Sequence, residues 1–165
     1  MKLFIADWNF EGAKKVANDL NSSVNRQAAW AIQVDVSDWE SQRKGFEEAV
    51  KELVRIDYVF PIAGITELPW LPGDLSTRTG TFEKPNLKVF EVNANGAIYS
   101  LALAISQFRR QQPNKRGFRG KSKRLYLLIV SSTNIPPSLV IVCTVSSGCG
   151  FYYIPSLPIY TASKQ

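Results

Sequence analysis

Short apolar runs and amphipathic stretches alternate through the first sixty or so residues. Leu3-Phe4-Ile5-Ala6 is an apolar run that stops at Asp7, and a helix is predicted directly behind it, with Asn9 placed to cap it. A second strand is predicted over Ala31 to Val36, ending in Asp35, and Ser37-Asp38-Trp39-Glu40 reads as a capping box that opens the next helix. Along that helix Trp39, Phe46, Val50, Leu53 and Val54 recur on one face, with Glu47, Glu48, Lys51 and Glu52 elsewhere, so it covers one side of a sheet. A third strand, Ile56 to Phe60, runs into Pro61-Ile62-Ala63-Gly64. Strands separated by helices predict an α/β unit with a parallel sheet.

Further along, Pro69-Trp70-Leu71-Pro72-Gly73-Asp74 predicts an irregular connection. Val92-Asn93-Ala94-Asn95-Gly96 then lies inside a long helical pattern, where asparagine and glycine are both locally unfavourable. Something other than helix propensity placed them there. Val145-Ser146-Ser147-Gly148-Cys149-Gly150 predicts a strand followed by a small-residue turn, and Ser147 precedes Tyr160 by thirteen residues. Tyr160 and Lys164 are one helical turn apart, which sets an ammonium beside a phenol and makes the phenol a usable acid or base near neutral pH. Singly, Ser147 reads equally as a turn residue, Asn93 as a helix irregularity and Lys164 as a solvated charge. Together they indicate proton chemistry at a carbon bearing oxygen.

In the order of these motifs the chain resembles the short-chain dehydrogenase/reductase family, most closely its fungal, NAD-dependent 15-hydroxyprostaglandin dehydrogenase-like branch. The resemblance implies an NAD-dependent enzyme that interconverts a secondary alcohol and a ketone. Tyr160 would be the general acid/base, Lys164 would assist it and hold the nicotinamide ribose, and Ser147 would hydrogen-bond the substrate oxygen. Asn93 would bend its helix and hold a water leading from Lys164 to solvent. Asp7, at a strand end, would accept hydrogen bonds from the adenosine ribose and repel a 2′-phosphate, favouring NAD over NADP. Trp8 would flank the adenine, Asp35 and the Val36 amide would hold it, and Ala63 and Gly64 would allow the backbone to approach the cofactor. Tyr160 and Lys164 thus belong to the cofactor site as well.

The chain also departs from that family. Pro61 and Ile62 stand where the family has two asparagines, and no glycine-rich phosphate turn precedes Asp7. The expected architecture is therefore a partial Rossmann-like, doubly wound parallel sheet lacking the first strand with its glycine-rich turn, and lacking the C-terminal strands. In the strand order 3-2-1-4-5-6 this leaves a central gap. Asn93 and Ser147 are 54 residues apart, about twice what one helix plus one strand needs, and residues 122–140 read as an insertion. One truncated NAD-binding domain over 1–165 is expected, inactive by itself.

Composition narrows the alternatives. The 165 residues include no histidine, which excludes Ser-His-Asp hydrolysis and histidine-ligated zinc, and no metal is expected. Cys143 and Cys149 have no metal-site spacing, and no cleavable signal opens the chain, so a cytoplasmic protein is expected. Leu125 to Val145 carries no charge over 21 residues, but Pro136-Pro137 and the polar patch before them interrupt a spanning helix. The net charge of +6 is local: Arg109 to Arg124 holds eight cations and no acid. A basic loop of this kind keeps a nucleic-acid-binding module open beside a non-catalytic, oligomerising remnant. The preferred reading has a small alcohol or ketone as substrate and a homo-oligomer as the full-length form, without nucleic-acid or membrane partners.

Overall fold

The computed structural model describes residues 1–67, 84–115, 117, 119, 121–122 and 157–164. Strand β1 (Leu3–Asp7) leads into helix α1 (Phe10–Val24). Asn9 caps α1, its Oδ1 accepting the Gly12 N–H at 3.0 Å, while Asp7 Oδ1 accepts the Asn9 N–H at 2.8 Å. The helix closes at Asn25 in the left-handed region, φ 50°, whose N–H reaches the carbonyls of Asn21 and Ser22. Asn21 then ties this end to the next strand: its Oδ1 accepts from Ala28 and Ala29 at 2.7 and 2.8 Å, and its Nδ2 donates to the Ala29 carbonyl.

Strand β2 (Ala29–Gln33) pairs in parallel with β1, from Leu3 opposite Ala29 to Asp7 opposite Gln33. It begins two residues earlier than its apolar pattern suggested, because the five-residue β1 sets the length of the ladder. The Val34 N–H bonds the Asp7 carbonyl as the last link, at 3.0 Å, and Asp35 and Val36 lie in the turn beyond.

Helix α2 (Trp39–Leu53) starts differently from the predicted capping box. Asp38 is the cap, accepting the Ser41 N–H at 2.7 Å, because the Ser37 hydroxyl is turned to Asp35 Oδ1 at 2.6 Å. Glu40 pairs with Arg43 at 2.8 Å. Val54, expected on the apolar face, is the C-cap with φ 66° and is 80% exposed. Of the expected face, Phe46 and Val50 pack with Phe4 and Val59 against a core of Ala49, Ile56, Ala104 and Phe108, whereas Trp39 is 40% exposed and meets Tyr99 edge-on. Fully burying a side chain such as Phe108 stabilises by about 1.5–3 kcal/mol.

Strand β3 (Tyr58–Val59) pairs in parallel with β4 (Lys121–Ser122). Helix α3 (Lys88–Phe90) passes through a π-helical turn, Glu91–Asn95, into α4 (Gly96–Arg110). Gln111 ties the end of α4 to the start of β3, donating to the Ile56 carbonyl at 2.6 Å and accepting its N–H at 3.3 Å. Within the basic stretch, Arg119 donates to the Arg109 carbonyl at 3.0 Å.

Among the described residues the strands make two sheets, β1-β2 and β3-β4, rather than one. Between β1 and β3 lies an apolar cavity of about 220 Å³, lined by Phe4, Phe46 and Val59 and reached by Ala6, Val36 and Ala63 at three strand ends. This is the place of the expected central gap. The connection Pro69 to Asp74, the apolar run Leu125 to Val130, Cys143, Cys149 and the inferred insertion beyond Ser122 lie outside the described residues. Among the described residues no helix is long and apolar enough to cross a membrane, and Leu125 to Val145 falls outside them.

Candidate active site

The π turn changes which way Asn93 faces. One extra residue in the turn disrupts the regular helical ladder, a cost accepted mostly where a side chain is needed elsewhere. Asn93 is buried, at 6% exposure, and its amide holds the loop after β3: Oδ1 accepts the Ile65 N–H and Nδ2 donates to the Ile65 carbonyl, both at 2.9 Å. Nδ2 also donates to Ser163 Oγ at 3.0 Å.

Ser163 belongs to helix α5 (Pro158–Lys164), together with Tyr160 and Lys164. Its hydroxyl donates in turn to the Tyr160 carbonyl at 2.7 Å. Lys164 Nζ lies 5.6 Å from the centre of the Tyr160 ring. A Cβ at Gly64 would stand 3.1 Å from Asn93 Oδ1 and 3.3 Å from Lys164 Nζ. A side chain at 64 would make Asn93 or Lys164 give way by a few tenths of an ångström, and Gly64, Asn93, Tyr160 and Lys164 gather at the carboxyl end of β3.

A second group occupies the carboxyl ends of β1 and β2. Asp7 and Trp8 are exposed beside the start of α1, Trp8 at 68%. Asp35 accepts the Ser37 hydroxyl and N–H, and Lys88 lies 3.9 Å away. The Ser37 hydroxyl, then its amide and the Lys88 charge, outweigh partial burial and hold the Asp35 carboxyl below the ordinary 3.8. Val36 joins this group to the first: its carbonyl would be 2.9 Å from a Cβ at Gly96, three residues after Asn93. Gln42 closes the junction, donating to the carbonyls of Val36 at 2.6 Å and Gly96 at 2.9 Å while accepting the Ser100 hydroxyl at 2.7 Å.

Ser147 and its turn lie outside the described residues. Three participants carried no sequence signal. Ser163 is a small residue within one turn of Tyr160, Gln42 is a polar residue on an amphipathic helix, and Glu67 is an acid in a loop. Only the tertiary structure buries Gln42 and Glu67, to 3% and 6% exposure. Among the described residues no group of three or more Cys, Asp or Glu side chains is placed to hold a metal ion.

Comparison with known proteins gives the family of the chain. Residues 1–115 match the short chain dehydrogenase family, and the chain belongs to it. Among relatives it is 35% identical over 130 residues to 5'-hydroxyaverantin dehydrogenase of Dothistroma septosporum, which covers 74% of this chain and 40% of that protein. It is 28% identical over 130 residues to the uncharacterized oxidoreductase YuxG of Bacillus subtilis, covering 75% of this chain and 17% of that one. Among solved structures, a short chain dehydrogenase/reductase from Burkholderia phymatum in complex with NAD superimposes with a TM-score of 0.69 at 17% identity, over 99% of this chain and 46% of that one. An alcohol dehydrogenase from Thermococcus sibiricus complexed with 5-hydroxy-NADP gives 0.65 at 16% identity, over 99% and 55%. The fold is therefore a partial Rossmann-type α/β fold, and the chain spans less than half the length of the curated relatives it matches.

Proposed function

We propose that this chain carries the cofactor site and the acid/base pair of an NAD-dependent short-chain dehydrogenase that interconverts a secondary alcohol and a ketone. The observation that carries the reading is the meeting of Lys164 Nζ, the Asn93 amide and Gly64 at one strand end, with Tyr160 one turn before Lys164. Ligands of open α/β sheets bind at the carboxyl ends of strands, and Asp7, Asp35, Val36, Ala63 and Gly64 all lie at such ends. The close approach at Gly64, where a side chain would displace Asn93 or Lys164, fits a backbone kept open to a dinucleotide.

When bound, NAD supplies the hydride acceptor. Tyr160 takes the hydroxyl proton of the alcohol in oxidation and returns it in reduction, with Lys164 Nζ 5.6 Å from its ring centre. Ser147 hydrogen-bonds the substrate oxygen. Asn93 keeps the loop at Gly64 against α5 and holds a water that leads from Lys164 to solvent. Asp7 accepts the ribose hydroxyls and opposes a 2′-phosphate, with Trp8 flanking the adenine and Asp35 and the Val36 amide holding it. The fungal 15-hydroxyprostaglandin dehydrogenase-like branch remains the preferred placement within the family, on the motifs quoted above.

Residues 1–165 form one unit in this reading, with 122–140 an insertion, and turnover requires the further length that the relatives possess. The protein works in the cytoplasm and its full-length form is a homo-oligomer. The cavity between β1 and β3 favours one second reading, a non-catalytic remnant that associates through this gap.

The test is NADH formation from a panel of secondary alcohols by a form extended with the upstream and downstream segments of a relative. Tyr160→Phe should lower kcat by about 10²–10⁴-fold while NAD affinity is kept. Lys164→Ala should damage both. No turnover in the extended form with any alcohol would remove the catalytic assignment in favour of the remnant.

A further inference from the structure

We infer that Glu67 is a positioning residue, which seats the helix carrying Tyr160 and Lys164 by capping its first turn. Its importance to catalysis rests on the function proposed above, but its structural role does not. Glu67 lies 92 residues from Ile159 in sequence, yet both carboxylate oxygens accept the Ile159 N–H, at 3.1 and 3.2 Å. Ile159 immediately precedes Tyr160.

Two facts give this contact its weight. Helix α5 spans only Pro158–Lys164, and the first N–H groups of any helix have no partner within it. Glu67 is also 6% exposed, and a carboxylate is almost never buried so far unless the fold gives it donors. Pro158 supplies no N–H, so Ile159 offers the first available donor of α5. Thr161 N–H bonds the Leu157 carbonyl at 3.0 Å, which makes the turn served by Glu67 the one that leads into the Tyr160 segment.

The loop after β3 therefore grips α5 twice. Asn93 joins Ile65 to Ser163 on the Lys164 side, and Glu67 joins the same loop to Ile159 on the Tyr160 side. With both in place the tyrosine and lysine cannot slide relative to Gly64. Without Glu67 the first turn of α5 loses this acceptor, and the turn bearing Tyr160 frays more readily.

The experiment uses the full 165-residue chain, labelled with nitrogen-15, and its Glu67→Ala and Glu67→Gln variants. In E67A the Ile159 amide resonance should move upfield, and the amides of Thr161 to Lys164 should exchange with solvent about tenfold faster, while those of α1 are unchanged. E67Q retains one acceptor oxygen, so its Ile159 resonance should move less and its α5 exchange should stay within about twofold of the parent. An Ile159 resonance and α5 exchange in E67A identical to the parent would overturn the inference, as would equal loosening of α1 and α5. Should E67A not fold, E67Q decides: an unmoved Ile159 resonance overturns the capping role. A parent chain that fails to bind NAD but shows the expected Ile159 response would contradict the dehydrogenase reading and leave Glu67 as the seat of α5.

Discussion

Asn93 grips Ile65 from both sides of its peptide backbone, accepting the N–H and donating to the carbonyl at 2.9 Å each, as a neighbouring strand would. This one side chain substitutes for a pair of ladder hydrogen bonds at the point where the chain leaves β3. A third bond carries the same amide to Ser163 and so to the Tyr160 segment.

Asn93→Ala removes all three bonds and leaves the part-buried backbone groups of Ile65 without this partner. Each net bond is worth about 0.5–1.5 kcal/mol, so the loss should total about 2–4 kcal/mol in urea unfolding. Asn93→Asp keeps only the acceptor and should be nearly as destabilising. A loss under about 0.5 kcal/mol would show that the loop is held by something else.

Gly96→Ala should also destabilise, although alanine is the better helix former by about 1 kcal/mol. Its Cβ would be 2.9 Å from the Val36 carbonyl oxygen, a backbone atom fixed by Gln42. Overpacking of this kind costs about 1–3 kcal/mol, so the net change should be a small loss of thermal stability. At Gly45 the new Cβ would meet a methyl of buried, β-branched Val34 at 2.8 Å, and Gly45→Ala should destabilise as well.

Gln42→Leu tests the junction between the two halves of the site. The amide satisfies the Val36 and Gly96 carbonyls and the Ser100 hydroxyl, and leucine of similar size satisfies none. A loss of about 2–4 kcal/mol is expected in urea unfolding, and because the Ser100 hydroxyl keeps the Gly96 carbonyl as an acceptor at 3.0 Å, Ser100→Ala in the same background should not restore it.

Asp35 should make stability depend on acid pH. Its folded-state value is held below 3.8, first by the Ser37 hydroxyl. The ionised carboxylate therefore stabilises the fold above about pH 3.8, and the benefit is lost as pH falls through the lower folded-state value. Asp35→Asn should cost stability at pH 7 and progressively less below about pH 4. Urea midpoints for both proteins across that range give the comparison, and a constant difference would contradict it.

Asp7→Ser bears on cofactor choice. If the carboxylate opposes a 2′-phosphate, the substitution should raise affinity for NADP relative to NAD by at least about tenfold, or about 1.4 kcal/mol, as read from thermal shifts with each nucleotide. Asp7 Oδ1 also accepts the Asn9 N–H, so a modest loss of parent stability should accompany the switch.

Local signals were readable where local chemistry decides. Asn9 caps α1, Phe46 and Val50 of α2 pack inward as their spacing implies, and the oddity of Asn93 and Gly96 within a helix has a cause in the π turn and the Val36 carbonyl. What was not readable depends on partners distant in sequence. The length of β1, not the apolar run of β2, fixes where the second strand starts. Asp35 takes Ser37 from the predicted capping box, and Asp38 replaces it. Glu67 and Gln42 look like ordinary surface residues until helices α5 and α4 meet them. The pairing of Tyr160 with Lys164 was visible from spacing alone, but the approach of Lys164 to Gly64 was not.

The most direct measurement is an NAD titration of the nitrogen-15-labelled chain, followed residue by residue. The account predicts that the amides of Gly64, Asn93 and Lys164 shift together with Asp7 along one saturable curve, and that Lys164→Ala weakens that curve. Shifts confined to other regions, or none at millimolar NAD, would contradict it.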